Sequence, residues 1–199
     1  MQLLDGAFRE AVEEQVCHLF TVLGTAGVGK SRLVEEFIAT LGEQARVAHG
    51  RWLAYGSGIT YWPVAEALRS GIGIGESVSA DEASAALSLV LAGESEAERI
   101  AAAAGSLLGV NADSHHDQEE LFWAVRKTFE ALARAKPLVL VLDDIHWGES
   151  TFLDIVEHIA DWTREAPILL IAMARSALPE KRPAWGRGQP RATPAQPEP

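Results

Sequence analysis

The segment Gly24-Thr25-Ala26-Gly27-Val28-Gly29-Lys30-Ser31 constrains this chain more than any other. It satisfies G-x-x-x-x-G-K-[ST] in full, after the apolar run Cys17 to Leu23 and before a stretch where Leu33, Val34, Phe37, Ile38 and Leu41 recur at helical spacing. Gly42 follows where a helix C-cap wants it. A strand, a glycine loop and a helix in that order form a cradle for phosphate. Loop N–H groups curl inward, and the helix beginning near Lys30 adds the positive end of its dipole. In that reading Lys30 bridges the β- and γ-phosphates of a nucleoside triphosphate and the Ser31 hydroxyl ligates Mg²⁺. The backbone of Gly24, Thr25, Ala26, Gly27, Val28 and Gly29, continuing through Arg32, wraps the phosphates. The bland alternative is an accidental glycine turn, but its four fixed positions coincide by chance in under about one chain in a hundred of this length.

A second signal lies about 110 residues downstream. Leu138 to Leu142 (LVLVL) is apolar without alternation, the mark of a parallel strand covered on both faces, and it ends in Asp143-Asp144. Asp143 is placed to join Ser31 around Mg²⁺, since a hard cation wants oxygen ligands. Asp144 is placed to orient or deprotonate an attacking water. Helix capping is the structural alternative for either carboxylate. A third signal is Arg175, at the carboxyl end of the strand predicted at Ile168 to Ala174, where ligands of open α/β sheets bind. There it would sense the γ-phosphate; otherwise it is a surface arginine.

The remaining pattern alternates strand and helix, which predicts an α/β fold with a parallel sheet. A weaker strand is expected at 45–53, followed by a turn-rich stretch at 55–60 and a short helix opening at Pro63. Residues 71–110 are rich in Ala and acid, with a Ser79-x-x-Glu82 capping box and a further helix over 94–108, and read as a helical insert at about 63–112. Asp117 and Glu120 predict a second capping box, for a helix that Pro137 ends; Thr151 to Trp162 is helical by spacing. Pro179, Pro183, Pro190, Pro194, Pro197 and Pro199 account for six of the nine prolines, so 179–199 is expected to be a disordered tail. The pair His115 and His116 lacks further metal ligands at suitable spacing and reads as a solvated loop.

With 48% hydrophobic and 23% charged residues in 199, the composition excludes collagen-like, disordered and disulfide-scaffold classes and fits one domain or part of one. The single cysteine, Cys17, fits a reducing, cytoplasmic setting. No apolar run reaches membrane-spanning length, and the N-terminus is unlike a signal peptide. A net charge of −11 disfavours direct nucleic-acid binding by this chain.

Together the GTAGVGKS loop, the LVLVLDDIHW segment and the LLIAMAR strand resemble the AAA-like ATPase domain of STAND-class signal-transduction NTPases, over most of Leu3 to Gly188. GITYWP (Gly58 to Pro63) and RPAWGRG (Arg182 to Gly188) belong to the resemblance, as do His146 and Trp147, for which the sequence gives no mechanism. The resemblance implies a three-layer αβα P-loop core, ATP and Mg²⁺ as ligands, Gly24 to Ser31 as Walker A, Asp143 with Asp144 as Walker B, and Arg175 as sensor 1. It also implies a signalling or transcriptional regulator whose partner is another protein or further C-terminal domains. The chain departs from the pattern in lacking a Gly-Arg-Glu segment before the first helix and in having Ser176, not Pro, after Arg175. Four predicted strands supply the order 1-4-3-2 of a sheet whose fifth is missing, leaving strand 1 as an open edge; the expectation is a truncated chain.

The leading expectation is therefore an ATP/Mg²⁺-binding switch with slow or vestigial hydrolysis, resting on Lys30, Asp144 and Arg175. Two rivals stand beside it. A small-molecule P-loop kinase would bind its acceptor within 55–110, but between Gly71 and Val110 the only basic side chain is Arg99. A non-enzymatic interaction fragment would bind no nucleotide.

Overall fold

The computed structural model describes residues 1–52, 60–75, 77–110, 115–186 and 192–195. In chain order, α1 (Gln2–Glu14) precedes β1 (Cys17–Leu23), α2 (Lys30–Leu41), β2 (Arg46–Arg51), α3 (Trp62–Ile72), α4 (Ala80–Val90), α5 (Ala97–Ser106), α6 (Gln118–Ala135), β3 (Leu138–Asp143), α7 (Ser150–Trp162), β4 (Ile168–Ala174), α8 (Leu178–Lys181) and β5 (Ala192–Ala195). All strand pairings are parallel, in the order β2-β3-β4-β1-β5. Among the described residues no helix is long and apolar enough to cross a membrane.

Every residue of β1, β3 and β4 is buried, as expected for apolar runs without alternation. Because successive strand side chains point to opposite faces, each strand feeds two cores. Phe20, Val22, Val139, Val141, Leu169 and Ile171 pack with Leu4 and Phe8 of α1 and Val34 and Phe37 of α2. Leu19, Leu140, Leu142 and Leu170 pack on the other side with residues of α3 to α7, including Leu68, Leu87, Ile100, Phe129 and Phe152. A fully buried Leu, Ile or Phe contributes about 1.5–3 kcal/mol, so the doubly covered β1-β4-β3 ladder is the firmest part of the molecule.

The four strands predicted from sequence take the order 1-4-3-2, but β1 is not an open edge. Ala192–Ala195, within the stretch whose composition predicts disorder, pairs with Leu19–Val22 of β1 as a fifth strand. Two further links tie this C-terminal segment down. Trp185 Nε1–H donates to Thr21 Oγ1 at 3.0 Å, and His18 Nε2 lies 3.0 Å from Thr193 Oγ1. A four-residue strand held by main-chain pairing needs no apolar periodicity, which is why composition conceals it. Residues 187–191 and 196–199 lie outside the described residues, as do most of the predicted turn at 55–60 and Gly58 and Ile59 of GITYWP.

Helix α3 belongs with the sheet more than with an insert. It lies on β2, with Arg46 Nη1 donating to Gly71 O at 2.7 Å and the Arg51 backbone N–H donating to Glu66 Oε2 at 2.6 Å. A Cβ on Gly50 would stand 1.9 Å from the Pro63 carbonyl oxygen, so only glycine permits this approach. The Ser79–Glu82 capping box forms as predicted. At α6 the box is half formed: Asp117 accepts from the Glu120 N–H, but the Glu120 carboxylate is taken by Arg99 at 2.8 Å and His116 at 3.1 Å. Buried Glu130 of α6 is satisfied by Arg126, by Lys127 at 2.9 Å and by the Arg164 backbone N–H at 3.2 Å, which ties α6 to the turn after α7.

Two stability predictions follow from this packing. Gly50→Ala is expected to destabilise by at least about 1–3 kcal/mol, lowering Tm by about 2–4 °C per kcal/mol; an unchanged melt would show that α3 does not dock this closely. Burial is the largest cause lowering the pKa of both His18 and His158 from the ordinary 6.5; Arg126 adds to it at His158, while Glu10 and Glu130 respectively oppose it. The unfolded chain thus takes up these protons before the folded one does, so their contribution to stability is present above the ordinary histidine range and lost as pH falls through it. Thermal melts should show Tm dropping between about pH 8 and about pH 5.5, and His158→Phe, which keeps packing on Phe122 and Trp162, should shrink that drop.

Candidate functional site

The predicted site residues converge at the carboxyl edge of the sheet. Strand β4 lies between β1 and β3, so the glycine loop after β1 and the carboxylates ending β3 stand one strand apart, about 10 Å at a spacing of about 4.8 Å per strand. Register aligns them: Leu23 is level with Ala174, and Leu142 with Ala172. The Gly24 N–H donates to Ala174 O at 3.2 Å, which joins the start of the loop to the residue before Arg175.

The loop is closed on itself. Gly27 and Gly29 have φ of 80° and 95°, a region costly to residues with a Cβ, and Gly29 serves as N-cap of α2 with no side-chain cap of its own. The first-turn amides of α2 therefore remain open to an acceptor. Lys30 Nζ arches back to donate to Gly24 O at 3.0 Å and Thr25 O at 3.1 Å, holding the ammonium over the loop. Ser31 is exposed at the helix start. Arg32 is the exception among the predicted loop residues. Its side chain runs along α2 to Glu36 at 2.8 Å, leaving only its backbone N–H to the site.

Asp143 is buried, and its Oδ1 accepts from the Asp144 N–H at 2.7 Å. Burial, and then the neighbouring Asp144 carboxylate, push its carboxyl above the ordinary range; the Asp144 N–H, Arg51 and His49 act the other way. Asp144 has φ 56°, which turns the chain sharply into a one-turn 3-10 helix over Ile145–Trp147. Sequence reasoning missed Arg51, whose guanidinium lies 3.9 Å from both Asp143 Oδ2 and Asp144 Oδ2. The available signal was the β2–β3 pairing, which sets Arg51 directly beside Asp143.

His146 lies in the same cluster. Its Nδ1 is 3.9 Å from Asp144 Oδ1, and among the described residues neither ring nitrogen has a hydrogen-bond partner. Burial lowers its pKa; Asp144 opposes this, while Arg175, Lys30 and Lys181 reinforce it. Lys181, also unsuspected from sequence, clamps the 3-10 turn by donating to His146 O at 3.1 Å and Gly148 O at 2.9 Å. Exposed Arg175 lays its guanidinium over the Trp147 ring, 5.3 Å from the centroid. Of the histidine pair before α6, His116 bonds Glu120 and His115 is exposed. A cavity of about 510 Å³ lined by Thr60, Tyr61, Trp62, Arg69 and Leu107 lies away from the loop, none of whose residues line it.

The edge thus presents open amides and an ammonium for a polyanion, beside hydroxyl and carboxylate oxygens suited to a hard cation. An uncharacterized protein of Rhizobium meliloti (strain 1021) is 26% identical over 165 residues, covering 77% of this chain and 16% of that protein. Similar solved structures include Drosophila ORC bound to poly(dA/dT) DNA and Cdc6, at TM-score 0.48 and 14% identity over 99% of this chain and 28% of that one. Drosophila ORC bound to DNA gives 0.45 and 15%, over 99% and 29%. The chain therefore spans well under a third of the length of these proteins. The model of the AAA ATPase domain matches residues 1–171, which take in β1 to β3, the loop and the acidic edge and end within β4, and the chain belongs to that family.

Proposed function

We propose that this chain is the nucleotide-binding core of a STAND-class signalling or transcriptional regulator, binding ATP with Mg²⁺ and hydrolysing it slowly as a switch. The observation that carries the reading is the self-closed loop with Lys30 poised over it, on the same sheet edge as Asp143 and Asp144. The donor set fits the metal, because the Ser31 hydroxyl and Asp143 carboxylate are the hard oxygens it prefers. When bound, Mg²⁺ supplies neutralisation of the charge on the β- and γ-phosphates.

The chain's own residues do the rest. Amides of 25–32 hold the phosphates, and Lys30 exchanges its two loop carbonyls, those of Gly24 and Thr25, for β- and γ-oxygens. Asp144 orients the attacking water and receives its proton, while Arg175 faces charge developing on the transferred phosphoryl group. Arg175 is exposed and, among the described residues, contacts the Trp147 ring. The charge of −11 argues against DNA contact by this chain, even though the ORC structures hold DNA. Its reader would be a protein partner or further domains, in a cytoplasmic setting.

Thermal melts with and without MgATP test the reading. Ligand at about 100 times its Kd should add about 2.7 kcal/mol of stability, and Lys30→Ala should abolish most of the shift. No shift for the wild type, or an equal shift for Lys30→Ala, would contradict it.

A further inference from the structure

Arg175 follows directly on β4, whose last residue Ala174 is level with Leu23, so it emerges beside Gly24 at the mouth of the loop. Among the described residues its guanidinium makes no ion pair or hydrogen bond. Its contact is the face of the Trp147 indole, 5.3 Å away. Trp147 itself is 47% exposed.

Its position is nevertheless fixed. The 3-10 turn that carries it is anchored by fully buried Ile145 and by the Trp147 N–H donating to Asp144 O at 3.1 Å. Lys181 bonds the carbonyls on either side, and the His146 ring packs against the indole at 5.1 Å. Contact with one ring uses only part of a guanidinium's surface and leaves N–H donors free for phosphate oxygens.

We propose that Trp147 is a positioning residue: it holds Arg175 by stacking, with the N–H edge presented to the terminal phosphate, and so sets the preference of the site for triphosphate over diphosphate. This rests on the nucleotide-site reading above. The diphosphate lacks the group that Arg175 meets, so the stack matters for one ligand and not for the other.

Calorimetric titration with MgATP and with MgADP tests this in wild type, Trp147→Ala, Trp147→Phe, Arg175→Ala and the Trp147→Ala/Arg175→Ala double variant. Trp147→Ala should weaken MgATP about 2- to 5-fold, the loss expected of an exposed cation–ring contact, and leave MgADP unchanged. Trp147→Phe, which keeps a ring face, should retain most of the preference. In the Arg175→Ala background the further loss of Trp147 should change nothing. Equal weakening of both nucleotides, an undiminished effect without Arg175, or no effect at all would overturn the proposal while leaving the nucleotide site standing. A wild type that binds neither nucleotide would overturn the site reading, and this proposal with it.

Discussion

The molecule depends on one constraint: β4 is inserted between β1 and β3, and all three run the same way. Parallel pairing puts every carboxyl end on one edge, and the order then decides which ends are neighbours. A loop at residue 24, carboxylates at 143 and 144 and a guanidinium at 175 meet there for that reason, although more than a hundred residues separate the first from the others. The Gly24 N–H to Ala174 O bond is the local expression of this constraint. The two cores exist to hold the ladder flat against its helices. Without them the strand ends would not keep ångström-scale relations.

Charge at this edge has weak partners within the chain. Lys30 rests on two carbonyls instead of a carboxylate, a partner it can surrender to a more negative one at little cost. Arg175 rests on a ring. Asp143 is buried beside a second carboxylate, and both push its carboxyl above the ordinary range. Arg51 partly offsets that pair at 3.9 Å, too far for a tight ion pair. His146, whose ring nitrogens have no hydrogen-bond partner among the described residues, completes an edge whose polar groups are under-satisfied from within. Under-satisfied groups gathered at one place are what a ligand site costs a fold.

Much of this was legible in the sequence, for identifiable reasons. Leu138 to Leu142 and Ile168 to Ala174 announce strands covered on both faces because they leave no polar position to face water. Gly24 to Ser31 announces its loop because two positive-φ glycines and a lysine at that spacing have few other uses. Ser79 with Glu82 announces a helix start by satisfying orphan amides. What was hidden depends on partners distant in the chain. Arg51 matters only once β2 is known to lie beside β3. Lys181 and Trp147 matter because a helix after β4 folds back on the turn after β3. Ala192–Ala195 joins the sheet through main-chain bonds, which any composition can make, so a Pro-rich stretch concealed a strand. At Asp117 the cap was foreseen, but Arg99 and His116 compete for Glu120 from elsewhere in the fold.

If the loop is the phosphate cradle proposed, the amides of 25–32 are donors waiting for phosphate oxygens, while that of Gly24 is already spent on Ala174. Amide hydrogen exchange across that stretch, followed with and without MgATP, measures it at the atoms concerned. The account predicts slowed exchange from Thr25 through Arg32 when MgATP is present, with the buried strands and the Gly24 amide that continues β1 unchanged. Exchange in the loop that is indifferent to nucleotide, under conditions where nucleotide is in large excess, would contradict it.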